Sequence, residues 1–276
     1  MVSVRDELRQ HGITLKKRLG QHFLADRNIL KKIVREAAIE KGDVVLEVGP
    51  GLGEMTAALA LEARKVVAVE MDSTLVTVLK EKLRDFPNVE IVDQDILKAD
   101  FRKLFERETT RVKVVANLPY QITTPLLFRF IESRDLFSTF TLMVQREVAE
   151  RMAASPGGKD YGPLSVFVQS FADLSLRFSV KPFAFVPPPK VESAVIHLSW
   201  KDKPAVEPGE EERFRKVVRG CMGYRRKTLL NALKHSGFPL RGAVQQKVET
   251  AGIDCRRRPE TLSIPEFVTL SKILHA

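Results

Sequence analysis

Val115-Ala116-Asn117-Leu118-Pro119-Tyr120 gathers the groups that could handle a flat, amine-bearing ring. The apolar run Val112 to Ala116, with nothing polar after Lys113, reads as a buried strand, so the chemistry would begin where that strand stops. Pro119 fixes its own φ and turns Leu118 away from helix, which holds the nearby carbonyls in a set direction. Asn117 contributes a side-chain carbonyl and amide, and Tyr120 a flat face with a polar tip. Together they could accept hydrogen bonds from an exocyclic amine and stack on the ring that carries it. The same residues could also make a strand-ending turn whose Tyr packs on a neighbouring helix.

Elements upstream must position this stretch. The strand Val44 to Val48 runs into Gly49-Pro50-Gly51-Leu52-Gly53, and Met55 to Ala63 then reads as a helix rich in Ala and Leu. Glycines at such a turn let the backbone approach a ligand, and the helix offers unpaired N–H groups. The spacing is G-x-G-x-G, whereas a dinucleotide-binding turn is G-x-G-x-x-G, which disfavours a nicotinamide-dependent oxidoreductase. The next strand, Lys65 to Glu70, ends in an acid about 20 residues after the first glycine, the distance at which an α/β unit sets a carboxylate on ribose hydroxyls. A third strand, Val89 to Val92, ends at Asp93-Gln94-Asp95. Each acid alone could be a solvated loop charge, but successive strand ends carry suitable groups, and ligands bind at those edges in doubly wound sheets.

Before the first strand lies Lys16-Lys17-Arg18 followed by Leu19-Gly20-Gln21-His22-Phe23-Leu24, with Asp26 as N-cap of a helix carrying Ile29, Leu30, Ile33 and Val34 at helical spacing. This arm could close over a ligand or simply dock. Beyond Tyr120, Thr141 to Val144 reads as a fifth strand, Gln145 to Met152 and Tyr161 to Phe171 as helices, and Ser175 to Val180 with Val191 to Leu198 as a closing strand pair. Between the last two, Phe185-Val186-Pro187-Pro188-Pro189-Lys190 presents a second aromatic. Phe185 could fill core, or pair with Tyr120 to sandwich a flipped-out base, a contact of about 1–3 kcal/mol.

The chain has 276 residues and a net charge of +10, which favours a polyanionic partner. Cys221 and Cys255 fit neither a metal spacing nor a disulfide framework, and no sequence feature suggests a metal site. No apolar run approaches the roughly 20 residues that span a bilayer, and the N-terminus lacks a signal-peptide core, so a cytoplasmic protein with no membrane association is expected. Composition shifts after Trp200: residues 201–212 read as a linker, and a small helical domain follows. The expected division is therefore an α/β domain over 1–200 and a helical domain over 201–276. Arg213, Arg215, Lys216 and Arg219, then Arg225-Arg226-Lys227, then Arg256-Arg257-Arg258, could be solvated faces, but their recurrence in a basic chain favours phosphate contacts.

The sequence closely resembles the bacterial small-subunit ribosomal RNA adenine dimethyltransferases. The resemblance covers nearly the whole chain and rests on Leu19 to Leu24, Glu47 to Gly53, Asn117 to Tyr120, Gln145 to Ala149 through Tyr161-Gly162, Phe185 to Ser193, and Arg225-Arg226-Lys227-Thr228-Leu229. It implies a Rossmann-like class I methyltransferase sheet with a small C-terminal helical domain that binds RNA. It implies S-adenosylmethionine as cofactor, held by His22 and Leu24, by Gly49 and Gly51, by Glu70 on the ribose, by Asp95 near the adenine and by Asn117 near the methionine end. Asn117, Leu118, Pro119, Tyr120 and Phe185 would serve the target base; Lys16, Lys17, Arg18, Arg225, Arg226 and Lys227 would serve RNA. The substrate implied is 16S rRNA in the immature small ribosomal subunit, with two adjacent adenosines near the 3′ end dimethylated by a monomeric enzyme. Two departures stand out: many relatives carry Asn where this chain has His22, and Gln121-Ile122-Thr123 replaces the commoner Asn-Ile-Ser. Two other readings share features with this one, a large-subunit (23S) rRNA adenine methyltransferase and an RNA-binding assembly factor whose methylation is incidental.

Overall fold

Parallel strands buried on both faces read as continuous apolar runs, and that is how this sheet is written. The computed structural model describes residues 3–16, 19–238 and 242–275. The chain divides into two units: Met1–Ala149 with Ser175–Ser199, and Glu150–Leu174 with Trp200–Ala276.

In the first unit, the principal sheet among the described residues has the order β4-β3-β2-β5-β6-β9-β7. Its strands are β2 (Val44–Val48), β3 (Lys65–Glu70), β4 (Val89–Asp93), β5 (Val112–Asn117), β6 (Phe137–Gln145), β7 (Ala172–Val180) and β9 (Ser193–Trp200). β2 through β6 pair in parallel, and β9 returns antiparallel along β6. From β2 the chain proceeds outward through β3 and β4, then crosses back to place β5 beside β2. The strand order thus reverses between β2 and β5, and a crevice opens beyond their carboxyl ends. Val45, Leu46, Val67, Val114 and Leu142 are fully buried along these strands.

Helices α2 (Arg27–Glu36) and α3 (Glu54–Glu62) cover the sheet through Leu30, Ile33, Met55 and Leu59. Asp26 caps α2 as its position predicts, accepting from the N–H groups of Asn28 and Ile29 at 2.9 and 3.2 Å. Two features had no sequence signal. Helix α1 (Val4–Gln10) sets Leu8 into a cluster with Phe23, Leu52, Leu75 and Val78. A two-stranded ribbon, β1 (Phe23–Leu24) with β8 (Phe185–Val186), aligns Leu24 with Phe185.

The second unit resumes at Trp200, near the expected boundary, but it also takes in Glu150–Leu174, which was expected in the first domain. Helix α8 (Pro163–Phe171) is apolar on most sides and buries Leu164, Val166, Phe167, Val168 and Phe171. It packs with α9 (Glu211–Gly223), where the Phe167 and Phe214 rings meet edge to face at 5.6 Å. The stretch expected to be a linker is pinned to it: Lys201 N–H donates to the Phe171 carbonyl and Ala205 N–H to that of Ser170, both at 2.9 Å. The Tyr161 hydroxyl donates to the Leu262 carbonyl at 3.0 Å. An apolar helix and its cover lie in one unit although a strand-forming segment separates them in sequence. The remaining helices of this unit include α10 (Leu229–His235) and α12 (Ile264–His275), which bury Leu229, Leu233, Phe267 and Leu270.

Candidate active site at the carboxyl edge of the sheet

The glycine turn lies beyond β2 and the Asn117 stretch beyond β5, on either side of the point where strand order reverses. Gly49 has φ +68°, and a Cβ there would meet the Pro119 ring at 3.8 Å; Gly51 has φ +61°, and a Cβ would press on the Phe23 ring at 3.0 Å. A side chain at Gly49 would crowd the Asn117 stretch and one at Gly51 would press on the arm, and the positive φ at both positions disfavours any residue with a Cβ.

Glu70 ends β3 against this cleft. It is buried, and one carboxylate oxygen accepts from the Asp72 N–H at 2.9 Å. Burial pushes its carboxyl above the usual range, an effect partly offset by the N–H groups of Asp72 and Met71. Glu47 lies deeper, fully buried in β2, and neither of its oxygens nor the Thr56 hydroxyl completes a hydrogen bond. Burial pushes the Glu47 carboxyl up to about 8; the nearby Thr56 hydroxyl opposes the shift and the Glu70 charge adds to it. The sequence marks Glu47 only as the start of the glycine motif, because a lone acid in an apolar strand says nothing of its lack of partners.

Asn117 ends β5, and its Nδ2 donates to the His22 carbonyl at 3.1 Å. That carbonyl can only accept, so the amide nitrogen faces it and Oδ1 is left as the acceptor. Leu118 is buried with its N–H on the Met143 carbonyl at 3.0 Å. The Pro119 carbonyl accepts from the Ile122 N–H at 3.1 Å, which leaves the Leu118 carbonyl the freer acceptor of that segment. Tyr120 anchors its hydroxyl on Ser193 Oγ at 2.8 Å and stacks on the His22 ring at 5.8 Å and 27°. Burial raises the Tyr120 phenol, and the Ser193 bond partly offsets this. His22 Nδ1 meets the Pro187 carbonyl at 2.8 Å and therefore carries the proton there. The contact from His22 to the Asn117 stretch is thus made by its backbone carbonyl and by its ring face.

Other expected residues are placed differently. Phe185 is 2% exposed and packs in the core with Leu30, Ile33 and Val195. Pairing of β8 with β1 turns its ring inward, away from the sandwich with Tyr120 that the sequence suggested. Gln94 and Ile96 line the cleft where Asp95 was expected. Asp95 instead closes a local turn, accepting at Oδ1 from the Leu97 N–H at 2.9 Å while its carbonyl takes the Lys98 N–H at 2.8 Å. Leu24 lines the cleft as expected. Lys16, assigned to RNA, pairs with Asp72 at 2.6 Å, and Gln21 binds the other oxygen of that carboxylate at 3.0 Å, so these residues fasten the arm. Lys17 and Arg18 lie outside the described residues.

In the helical unit the basic triplet separates by role. Arg225 pairs with Glu260 at 2.7 Å and donates to the Lys159 carbonyl at 2.9 Å, whereas Arg226 and Lys227 are exposed.

The donor set of the cleft suits a cationic nucleoside. Among the described residues its walls carry the carboxylates of Glu47, Glu54 and Glu70 and no lysine or arginine. A pyrophosphate would find no cation among the described lining residues. S-adenosylmethionine, with its positive charges, an adenosine for the apolar walls of Leu52 and Ile96, and ribose hydroxyls for Glu70, fits the residues present.

Comparison with known proteins agrees with this geometry. A family model described as ribosomal RNA adenine dimethylase matches residues 12–276. A ribosomal RNA small subunit methyltransferase A from Geobacter metallireducens is 48% identical over 271 residues, covering 98% of either chain. Among solved structures, a dimethyladenosine transferase from Plasmodium falciparum superposes with a TM-score of 0.78 at 28% identity, covering 90% of this chain and 96% of that one. The 23S rRNA methyltransferase ErmE superposes with a TM-score of 0.67 at 28% identity, covering 92% and 100%. With the family model spanning nearly the whole chain and a relative at this identity, the chain belongs to the ribosomal RNA adenine dimethylase family.

Proposed function

We propose that this protein transfers methyl groups from S-adenosylmethionine to the exocyclic amines of two adjacent adenosines near the 3′ end of 16S rRNA. It is an S-adenosylmethionine-dependent rRNA adenine dimethyltransferase. The immature small subunit as substrate, action as a monomer and a cytoplasmic site of action belong to the proposal. One observation carries the residue assignment: Asn117, locked through Nδ2 on the His22 carbonyl, keeps Oδ1 as an acceptor in a cleft that Leu118 and Glu70 also line.

The cofactor supplies an electrophilic methyl on a sulfonium. An adenine amine is a weak nucleophile because its lone pair is delocalised into the ring. Asn117 Oδ1 and the Leu118 carbonyl accept its two N–H groups, which favours a pyramidal nitrogen and frees the lone pair for attack. Tyr120 supports the base from one face, its hydroxyl held by Ser193. Positioning and fixed dipoles do the work, and no strong base is involved; the proton leaves after the new N–C bond forms.

The direct test is transfer of labelled methyl into small subunits prepared without adenine methylation, followed by mapping. Label on two adjacent adenosines near the 16S 3′ end is expected. Label on large-subunit RNA would redirect the substrate to 23S rRNA, and tight binding without transfer would favour an assembly factor.

A further inference from the structure

The aromatic that the sequence assigned to the target base, Phe185, is in the core, yet two residues earlier Phe183 stands 81% exposed. A single exposed ring needs no explanation by itself; the segment that carries this one gives it a use. Phe183 sits in a single 3-10 turn, Pro182–Ala184, that begins the segment 181–192. Both ends of that segment are fastened. Lys181 Nζ meets Glu192 Oε1 at 2.5 Å, and Arg146 Nη1 meets Glu192 Oε2 at 3.0 Å. The Pro187 carbonyl holds the His22 ring.

The register places this segment at the catalytic edge. Asn117 aligns with Met143 across β5 and β6, and Gln145 aligns with Ser193 across β6 and β9. Ser193, which holds the Tyr120 hydroxyl, directly follows the segment. Lys190 is exposed, has no acid partner among the described residues, and lies on the same segment as Phe183. A rigidly presented aromatic on a segment with an exposed lysine, Lys190, matches how proteins hold single-stranded nucleic acid: the ring takes a base, and the ammonium takes a neighbouring phosphate.

We propose that Phe183 is an rRNA-binding residue, stacking on a nucleotide that flanks the target adenosine. This rests on the proposed function for the identity of the RNA, but the stacking contact itself is measurable without turnover. The test compares the full chain with Phe183→Ala and Phe183→Trp in binding to protein-free small-subunit rRNA, binding to unmethylated small subunits, and methyl transfer. Phe183→Ala should weaken binding to both about tenfold, raise KM for particles with kcat little changed, and leave cofactor affinity and the thermal midpoint as they are. Phe183→Trp should restore binding. Unchanged affinity of Phe183→Ala for protein-free rRNA would overturn the proposal. Weakened binding confined to assembled particles would also overturn it, pointing to a ribosomal protein as the partner. If the parent chain transfers no methyl while Phe183→Ala still loses rRNA affinity, the proposed function fails and the Phe183 contact stands.

Discussion

The side-chain amide of Asn117 donates to the backbone carbonyl of His22 at 3.1 Å, which joins the end of β5 to the arm that precedes the sheet. The bond makes the orientation of the catalytic amide depend on the arm. Asn117→Ala should therefore lower kcat about a hundredfold at saturating cofactor and RNA, the scale of removing one preorganised polar group from a transition state. Asn117→Asp should fare no better, because a carboxylate oxygen would face the His22 carbonyl in place of a donor. Single-turnover methyl transfer measures both, and full activity of the Ala variant would sink the mechanism.

Tyr120 divides its work between ring and hydroxyl. Tyr120→Phe keeps the face and loses the Ser193 bond, a net contribution of about 1 kcal/mol, so a severalfold loss of kcat/KM is expected. Tyr120→Ala removes the face as well and should lose about tenfold or more, a stacking contribution comparable to that measured for other bases on aromatics. Steady-state kinetics on unmethylated particles would separate these; equal losses in the two variants would mean that the ring does not stack.

Much of the first unit was legible because its signals are local. The runs Val44 to Val48, Lys65 to Glu70 and Val112 to Ala116 have to be apolar when both sheet faces are covered, and Asp26 can be recognised as a cap from the few residues around it. The misreadings have a common cause in contacts between distant parts of the chain. Phe185 is turned into the core by pairing with Leu24, and nothing near either residue announces that ribbon. The second unit does resume at Trp200, where the composition shifts, but it also takes in Glu150–Leu174, because α8 finds its cover in α9 across an intervening strand. Arg225 reads as one of three equivalent cations until Glu260 and Lys159 are brought to it. Asp95 closes a local turn through one carboxylate oxygen, as Asp side chains readily do.

Glu47 makes stability depend on pH in a direction opposite to that of a surface carboxylate. Its carboxyl rises from 4.5 to about 8 through burial, with the Thr56 hydroxyl opposing and the Glu70 charge adding. Between those values the folded chain holds a proton that the unfolded chain has released. The resulting stability is full below about pH 4.5 and is lost as pH rises through about 8, with a slope approaching 1.4 kcal/mol per pH unit, as an upper estimate. Glu47→Gln, neutral throughout, lacks this slope. Urea titrations of the cofactor-free protein at pH 6 and pH 8.5 should show the parent losing more stability than the variant; parallel losses would mean that Glu47 is not protonated in the fold.

Arg226 and Lys227 are exposed, while their neighbour Arg225 is held by Glu260 and the Lys159 carbonyl. Arg225 should therefore respond to the same substitution differently from the other two. A phosphate contact releases counterions, so Arg226→Ala and Lys227→Ala should each weaken rRNA binding and lower the slope of log affinity against log salt by about 1. Arg225→Ala leaves the part-buried Glu260 with one cation fewer and removes a donor from Lys159, so its effect should fall on the thermal midpoint more than on the salt slope. Binding isotherms at several salt concentrations, paired with melting curves, distinguish the two behaviours. A drop in salt slope for Arg225→Ala equal to that of its neighbours, with no change in melting, would show that its pairing with Glu260 gives way to phosphate when RNA binds.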